Sequence, residues 1–197
     1  EIKFLDPACG SGHILVYAFD LLTKVYEEDG YSTNDIPKLI IEKNLHGFEI
    51  DERAAQLSGL ALMMKAREYQ RRALRKDILP NILCFQDLRL NINEIKETLS
   101  LFKKQYSDEL VYDLNKCQQA TNFGSLIFPN ANKNEIYDLY EKLNQKALIA
   151  DVFQRNKIDS LLNACSQLIL LSTTYHCIVT NPPYMSGGGM NIELSEF

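Results

Sequence analysis

Apolar residues along this chain follow two rhythms. Four short runs, 2–5, 45–48, 82–85 and 175–180, have the length and the β-branched or aromatic content of buried strands. After the first run, Ile14, Ala18, Leu21, Leu22 and Val25 recur at helical spacing from His13 until Glu27-Glu28-Asp29-Gly30, where Gly30 is a natural stop. A short helix is predicted near Pro37. A long one is predicted over 52–76, capped by Asp51 or its neighbour, with Ala55, Leu57, Leu60, Ala61, Met64 and Ala66 on its apolar side. Strands alternating with helices predict right-handed βαβ units and an open parallel sheet, which binds ligands at the carboxyl ends of its strands.

The fourth run arrives about 90 residues after the third, against the handful that a simple βα connection needs. Helical patterns over 99–106, 134–150 and 151–171, punctuated by Thr121-Asn122-Phe123-Gly124-Ser125 and Pro129-Asn130, predict a helical insertion there.

Composition narrows the class. A chain of 197 residues with 46% apolar and 24% charged content suits a globular domain with a sizeable core. No apolar run approaches the ~20 residues that cross a bilayer and no signal peptide is readable, so no membrane partner is expected and the bacterial cytoplasm is the expected compartment. Lys plus Arg (21) against Asp plus Glu (26) gives a net charge of −5, opposite in sign to the footprint of a free-standing nucleic-acid-binding domain. Cys9, Cys84, Cys117, Cys165 and Cys177 are widely spaced without C-x-x-C, and His13, His46 and His176 lack ligand spacing, which predicts reduced thiols and no metal site.

Chemistry concentrates at four strand ends. In Asp6-Pro7-Ala8-Cys9-Gly10-Ser11-Gly12 the chain turns from strand to helix, and the glycines permit unusual torsions and close approach of a ligand; an ordinary βα turn with two glycines would look the same. Glu49 closes the second strand where a carboxylate can accept both hydroxyl hydrogens of a nucleoside's ribose, or simply stand in solvent. It follows Gly12 by 37 positions, against the ~20 of a dinucleotide fingerprint, and the third glycine of that fingerprint is missing. The absence of G-K-[S/T] excludes a P-loop. Asn181-Pro182-Pro183-Tyr184 follows the fourth strand directly. Its prolines stiffen the backbone, the Asn181 side-chain oxygen and the Pro182 carbonyl can accept from an exocyclic amino group, and Tyr184 can stack on a flat ring, worth roughly 1–3 kcal/mol per base. The basic run 65–76 could meet phosphates or be a solvated helix end.

Together Asp6-Pro7-Ala8-Cys9-Gly10-Ser11-Gly12, Phe48-Glu49-Ile50-Asp51, Gln86-Asp87 and Asn181-Pro182-Pro183-Tyr184 resemble, in that order, the class I S-adenosylmethionine-dependent DNA adenine-N6 methyltransferases. The words around His13 to Asp20 and from Asn181 to Met185 with Gly187-Gly188-Gly189-Met190 look most like the PglX methyltransferases of BREX phage defence, with type IIG restriction-modification enzymes next. The resemblance implies an α/β fold: a Rossmann-like parallel sheet, partial, in strand order 3-2-1-4, with helices on both faces and the insertion between strands 3 and 4. It implies a division into a cofactor-binding half (1–90), the insertion (91–172) and strand 4 with its catalytic loop (173–197). It further implies that Asp6, Pro7, Ala8, Gly10 and Gly12 hold the methionine end of S-adenosylmethionine, Glu49 its ribose, and Asp87 its adenine amino group, with Ile50 or Leu88 against that ring. Asn181, Pro182, Pro183 and Tyr184 would hold a target adenine flipped out of double-stranded DNA. Cys9 is expected to be a small packing residue, because a cytosine-C5 enzyme would need a Pro-Cys dipeptide.

Such domains usually have seven strands and only four are readable, so the chain is expected to be the first part of a larger enzyme, with most DNA contacts elsewhere and other defence proteins as possible partners; alone it need not be active. Two rivals share the fold: a methyltransferase of protein glutamine or ribosomal RNA, and a non-catalytic cofactor-sensing module of a defence complex.

Overall fold

A computed structural model describes residues 2–182 apart from 72, 76, 77 and 103. Its elements run β1 (Phe4–Asp6), α1 (His13–Glu28), α2 (Ile36–Leu39), β2 (Leu45–Glu49), α3 (Glu52–Tyr69), β3 (Asn81–Cys84), α4 (Ile92–Ser100), α5 (Asp108–Lys116), α6 (Ala120–Phe123), α7 (Lys133–Ala147), α8 (Val152–Leu171) and β4 (Cys177–Ile178). All strand pairs are parallel, as the alternation of strands and helices predicts, and the order is β3-β2-β1-β4, as the family resemblance implies. Chain contacts separate the described residues into two units, one reaching Cys84 and resuming at Thr174, the other Phe85–Thr173.

In the first unit Leu15 and Phe19 of α1, Leu62 and Ala66 of α3, and Leu45 of β2 meet in one core. Removing each such large side chain from water contributes about 1.5–3 kcal/mol. Gly47 lets these layers close: a Cβ there would lie 2.8 Å from both Leu15 Cδ1 and Ile82 Cδ1 and 3.0 Å from Cys9 Sγ. On the opposite face His46 and Phe48 meet the Tyr175 ring edge-on, as alternation along β2 requires. A π-helical turn, Ile40–Asn44, leads into β2; Asn81 Nδ2 donates to the carbonyls of Ile41 (2.9 Å) and Glu42 (3.0 Å), and buried Asn44 donates to Ile2 O (2.7 Å).

Helix faces depart from expectation. The buried residues of α1 are Leu15, Ala18, Phe19 and Thr23, while Leu21 and Val25 are exposed. Those of α3 are Ala55, Ser58, Leu62 and Ala66, whereas Leu57 (55%), Leu60 (56%) and Met64 (48%) face outwards. The same helix stops at Tyr69 rather than near 76, because Gln70 turns extended and sends its side-chain amide to Asn34 O (2.8 Å). Lys65, from the basic run, is held by Asp20 (3.0 Å) and Glu68 (2.9 Å). β3 is shifted by one residue from expectation, and β4 pairs over two residues only.

The second unit is helical. α7 packs along α8, and Ile136, Leu139, Leu143, Ile158, Leu161 and Leu168 are buried. Among the described residues the helix expected over 99–106 lies earlier: Asn91 and Glu94 form a reciprocal capping box that starts α4, which ends at Ser100, and Ser107 caps α5, which periodicity missed. Fully buried Asp113 accepts the N–H groups of Asn130 and Ala131, both at 2.7 Å, and pins the loop before α7. Among the described residues no helix is long and apolar enough to cross a membrane.

Candidate active site

The first unit carries its polar chemistry where the parallel strands end. β1 closes on Asp6, and loop 7–12 enters α1 at Gly12. Gly10 (φ +52°) and Gly12 (φ +87°) occupy the left-handed region, where a side chain costs about 1–2 kcal/mol. They serve different ends. Nothing beyond its two chain neighbours lies within 4 Å of where a Cβ on Gly10 would stand, so torsion alone selects glycine there. At Gly12 a Cβ would also lie 2.6 Å from Ser58 Oγ and 3.1 Å from Ser58 Cα, so its bareness admits α3. Ser58 is fully buried beside the Cys9 thiol.

The loop's backbone donors are nearly all assigned. Ala8 N–H donates to Asp6 Oδ1 (3.2 Å), Cys9 N–H to Phe48 O (2.9 Å), Gly10 N–H to Glu49 Oε2 (2.7 Å), and Gly12 N–H to Cys9 O (2.8 Å). Glu49 Oε1 accepts from the N–H groups of Ile50 (2.8 Å) and Asp51 (3.0 Å). Asp51 caps α3 through Ala54 N–H (2.8 Å), as expected, and leaves Ile50 half exposed beside Glu49. At the start of α1 no side chain caps the free N–H groups and no acid stands in the first turn.

Asp6 is 1% exposed. Burial pushes its carboxyl above the usual range, and nearby Glu49 adds to this; hydrogen bonds from the Thr180 side chain and the Ala8 N–H work the other way. Thr180 reaches Asp6 because β4 pairs with β1 in register, Leu5 opposite Ile178, and Val179 N–H continues to Leu5 O (3.0 Å). Asn181 and Pro182 follow, exposed at the same end of the sheet. Pro183 and Tyr184 lie outside the described residues. Burial pushes the Cys9 thiol up to about 11, which leaves it protonated at neutral pH and suits packing.

Asp87 and Leu88 belong to the other unit. Asp87 accepts Thr121 N–H (2.8 Å) and the Thr121 hydroxyl (2.9 Å). Leu88 is 4% exposed and donates its N–H to Cys117 O (2.8 Å). Beside them Gln167, 2% exposed, exchanges hydrogen bonds with the Gln86 backbone (3.1 Å each way).

The sequence reading missed Gly47, Ser58, Thr180 and Gln167. A glycine inside an apolar strand signals close approach. A polar residue in an apolar helical row, as at Ser58 and Gln167, signals a buried contact.

A four-stranded parallel sheet in this order, with a glycine loop after its first strand, an acid ending its second and Asn-Pro after its fourth, defines a methyltransferase domain. The chain belongs to the DNA-methyltransferase domain family typified by MmeI, whose profile matches residues 1–193. It is 38% identical, over 219 aligned positions, to the adenine-specific methyltransferase BrxX of Escherichia coli O9:H4 (strain HS), and 36% identical over 202 to the adenine-specific methyltransferase PglX of Lacticaseibacillus casei (strain Zhang). Both alignments cover all of this chain, which spans 18% and 17% of those proteins. The family resemblance carried by the four motifs is thereby borne out.

Proposed function

We propose that this chain forms the cofactor loop and the start of the catalytic loop of a DNA adenine-N6 methyltransferase that uses S-adenosylmethionine, acting in the bacterial cytoplasm in phage defence or restriction-modification. One observation carries the reading: Asp6, Gly10, Glu49 and, through Thr180, Asn181 converge at the carboxyl ends of three adjacent parallel strands.

The donor set suits a zwitterionic nucleoside. A carboxylate has about four lone-pair directions. Three on Glu49 meet backbone donors, which leaves one for a ribose hydroxyl. Ile50 offers an exposed apolar side chain for a purine, the uncapped start of α1 suits the carboxylate of the methionine end, and Asp6 suits its ammonium. When bound, the cofactor supplies an electrophilic methyl on its sulfonium.

Asn181 and the Pro182 carbonyl would each accept a hydrogen from the target's N6, holding the amino lone pair towards that methyl, with Pro183 fixing the turn and Tyr184 stacking on the base. The nitrogen would gain the methyl as the methyl–sulfur bond breaks and its electron pair leaves with a neutral thioether, and would then release a proton to water, so orientation and hydrogen bonding are the work asked of the protein. Flipping is required because N6 cannot meet the methyl while the base is stacked. A net charge of −5 implies that double-stranded DNA is gripped mainly by surface outside these residues.

The test is to map modified bases in a host expressing the protein at its full natural length, and to titrate the protein with S-adenosylmethionine. N6-methyladenine at a fixed motif, lost in Asn181→Ala, supports the reading. Methylated protein glutamine or ribosomal RNA in its place, or cofactor binding with no transfer by the intact protein, would sink it.

A further inference from the structure

Glu49 holds more than its own turn. Its Oε1 bonds the N–H groups of Ile50 and Asp51, which are local, but its Oε2 reaches 39 positions back along the chain to the Gly10 N–H at 2.7 Å. The preceding donor, Cys9 N–H, goes to Phe48 O at 2.9 Å. Two successive amides of the glycine loop are therefore stitched to two successive residues at the end of β2.

Packing cannot do this work at Gly10. No atom beyond its two chain neighbours lies within 4 Å of where its Cβ would stand, and it holds a left-handed torsion with that side open. Gly12, in contrast, rests against Ser58. The charged hydrogen bond from Gly10 is accordingly the fixed point for the outer half of the loop, and bonds to charged acceptors are the stronger kind.

We infer that Glu49 is a positioning residue for the glycine loop in addition to its place as a ribose acceptor, so that part of its contribution to cofactor affinity does not pass through the ribose hydroxyls. This rests on the reading that a nucleoside cofactor binds at the loop. Removing the carboxylate frees Gly10 and disorders the surface that meets the methionine end, even for a ligand with no hydroxyls to recognise.

The experiment titrates the protein at its full natural length with S-adenosylhomocysteine and with its 2′,3′-dideoxy analogue, using wild type, Glu49→Ala and Glu49→Gln. Glu49→Ala is expected to bind the dideoxy analogue about tenfold more weakly than wild type does, the effect of losing one charge-assisted hydrogen bond. Glu49→Gln keeps the side-chain volume but has one acceptor oxygen for three donors, and is expected to lose less with that analogue. Hydrogen exchange followed by mass spectrometry should show the peptide containing Gly10 exchanging faster in Glu49→Ala, with peptides from 55–66 unchanged. If exchange accelerates everywhere in that variant, Glu49→Gln decides. Equal affinity of wild type and both variants for the dideoxy analogue would overturn the inference and leave cofactor binding standing. Failure of wild type to bind S-adenosylhomocysteine would overturn both.

Discussion

The Thr180 side chain works against the burial that raises the Asp6 carboxyl, and the register of β4 on β1 sets the residue before Asn181 beside the acid that opens the glycine loop. The two are 174 positions apart and meet because β4 lies against β1. Thr180→Val keeps the shape and removes the hydroxyl. It is expected to lower kcat for adenine methylation several-fold while changing cofactor affinity by less, since the loop retains its bonds to Phe48 and Glu49. A loss confined to cofactor affinity in the same kinetic comparison would contradict this.

Asp6 itself sets a pH dependence. Burial raises its carboxyl above the unfolded value of 3.8, so the folded state favours the protonated form. That contribution is fully present below 3.8 and is lost as pH rises through the raised value, so ionised Asp6 costs stability at neutral pH. Asp6→Asn, which can still accept from Ala8, is expected to unfold at higher urea concentration than wild type at pH 7, and the advantage should shrink towards pH 4. The same variant should bind S-adenosylmethionine less well. A stability gain that grows on acidification would reverse the assigned sign.

The two loop glycines should respond unequally. Gly10→Ala meets only the torsional cost, about 1–2 kcal/mol. Gly12→Ala adds contact with Ser58 and should lose about 1–3 kcal/mol more. Ser58→Gly should restore part of the loss in the double variant. Urea midpoints of the four proteins measure the difference, and equal losses would mean that α3 does not bear on Gly12.

The outward turn of α3 is also testable. Leu62→Ala should cost about 2–5 kcal/mol, because Leu62 is fully buried, whereas Leu60→Ala should stay within about 0.5 kcal/mol. Thermal melts that rank the two the other way would restore the helix face that periodicity selects.

That face was not legible for a physical reason. Along α1, apolar residues at 14–16, 18, 19, 21, 22 and 25 surround most of the helix, so spacing alone could not say that Leu15 and Phe19 are buried while Leu21 is not. In α3 the buried row runs through Ser58, a residue that hydropathy assigns to solvent. The strand ends were legible because each couples an apolar run to an abrupt glycine, acid or proline, and the order of the sheet was implied by the family that those words resemble. Starts of helices at Asn91 and Ser107 were written in capping residues that a search for apolar rhythm passes over. The influence of Thr180 on Asp6, like the tie of Gln70 to Asn34 that ends α3, exists only once distant segments are packed.

The π-helical turn at Ile40–Asn44 now reads as a phase setter. Its wider winding decides the rotational state in which the chain enters β2, and every second residue from Leu45 onward inherits it. Leu45, Gly47 and Glu49 share one face for that reason, so the aim of the carboxylate at Gly10 is decided five residues upstream and clamped there by two asparagines, Asn44 and Asn81. A slip of one residue in that turn would present His46 and Phe48 to the glycine loop and send Glu49 through the sheet to the far side.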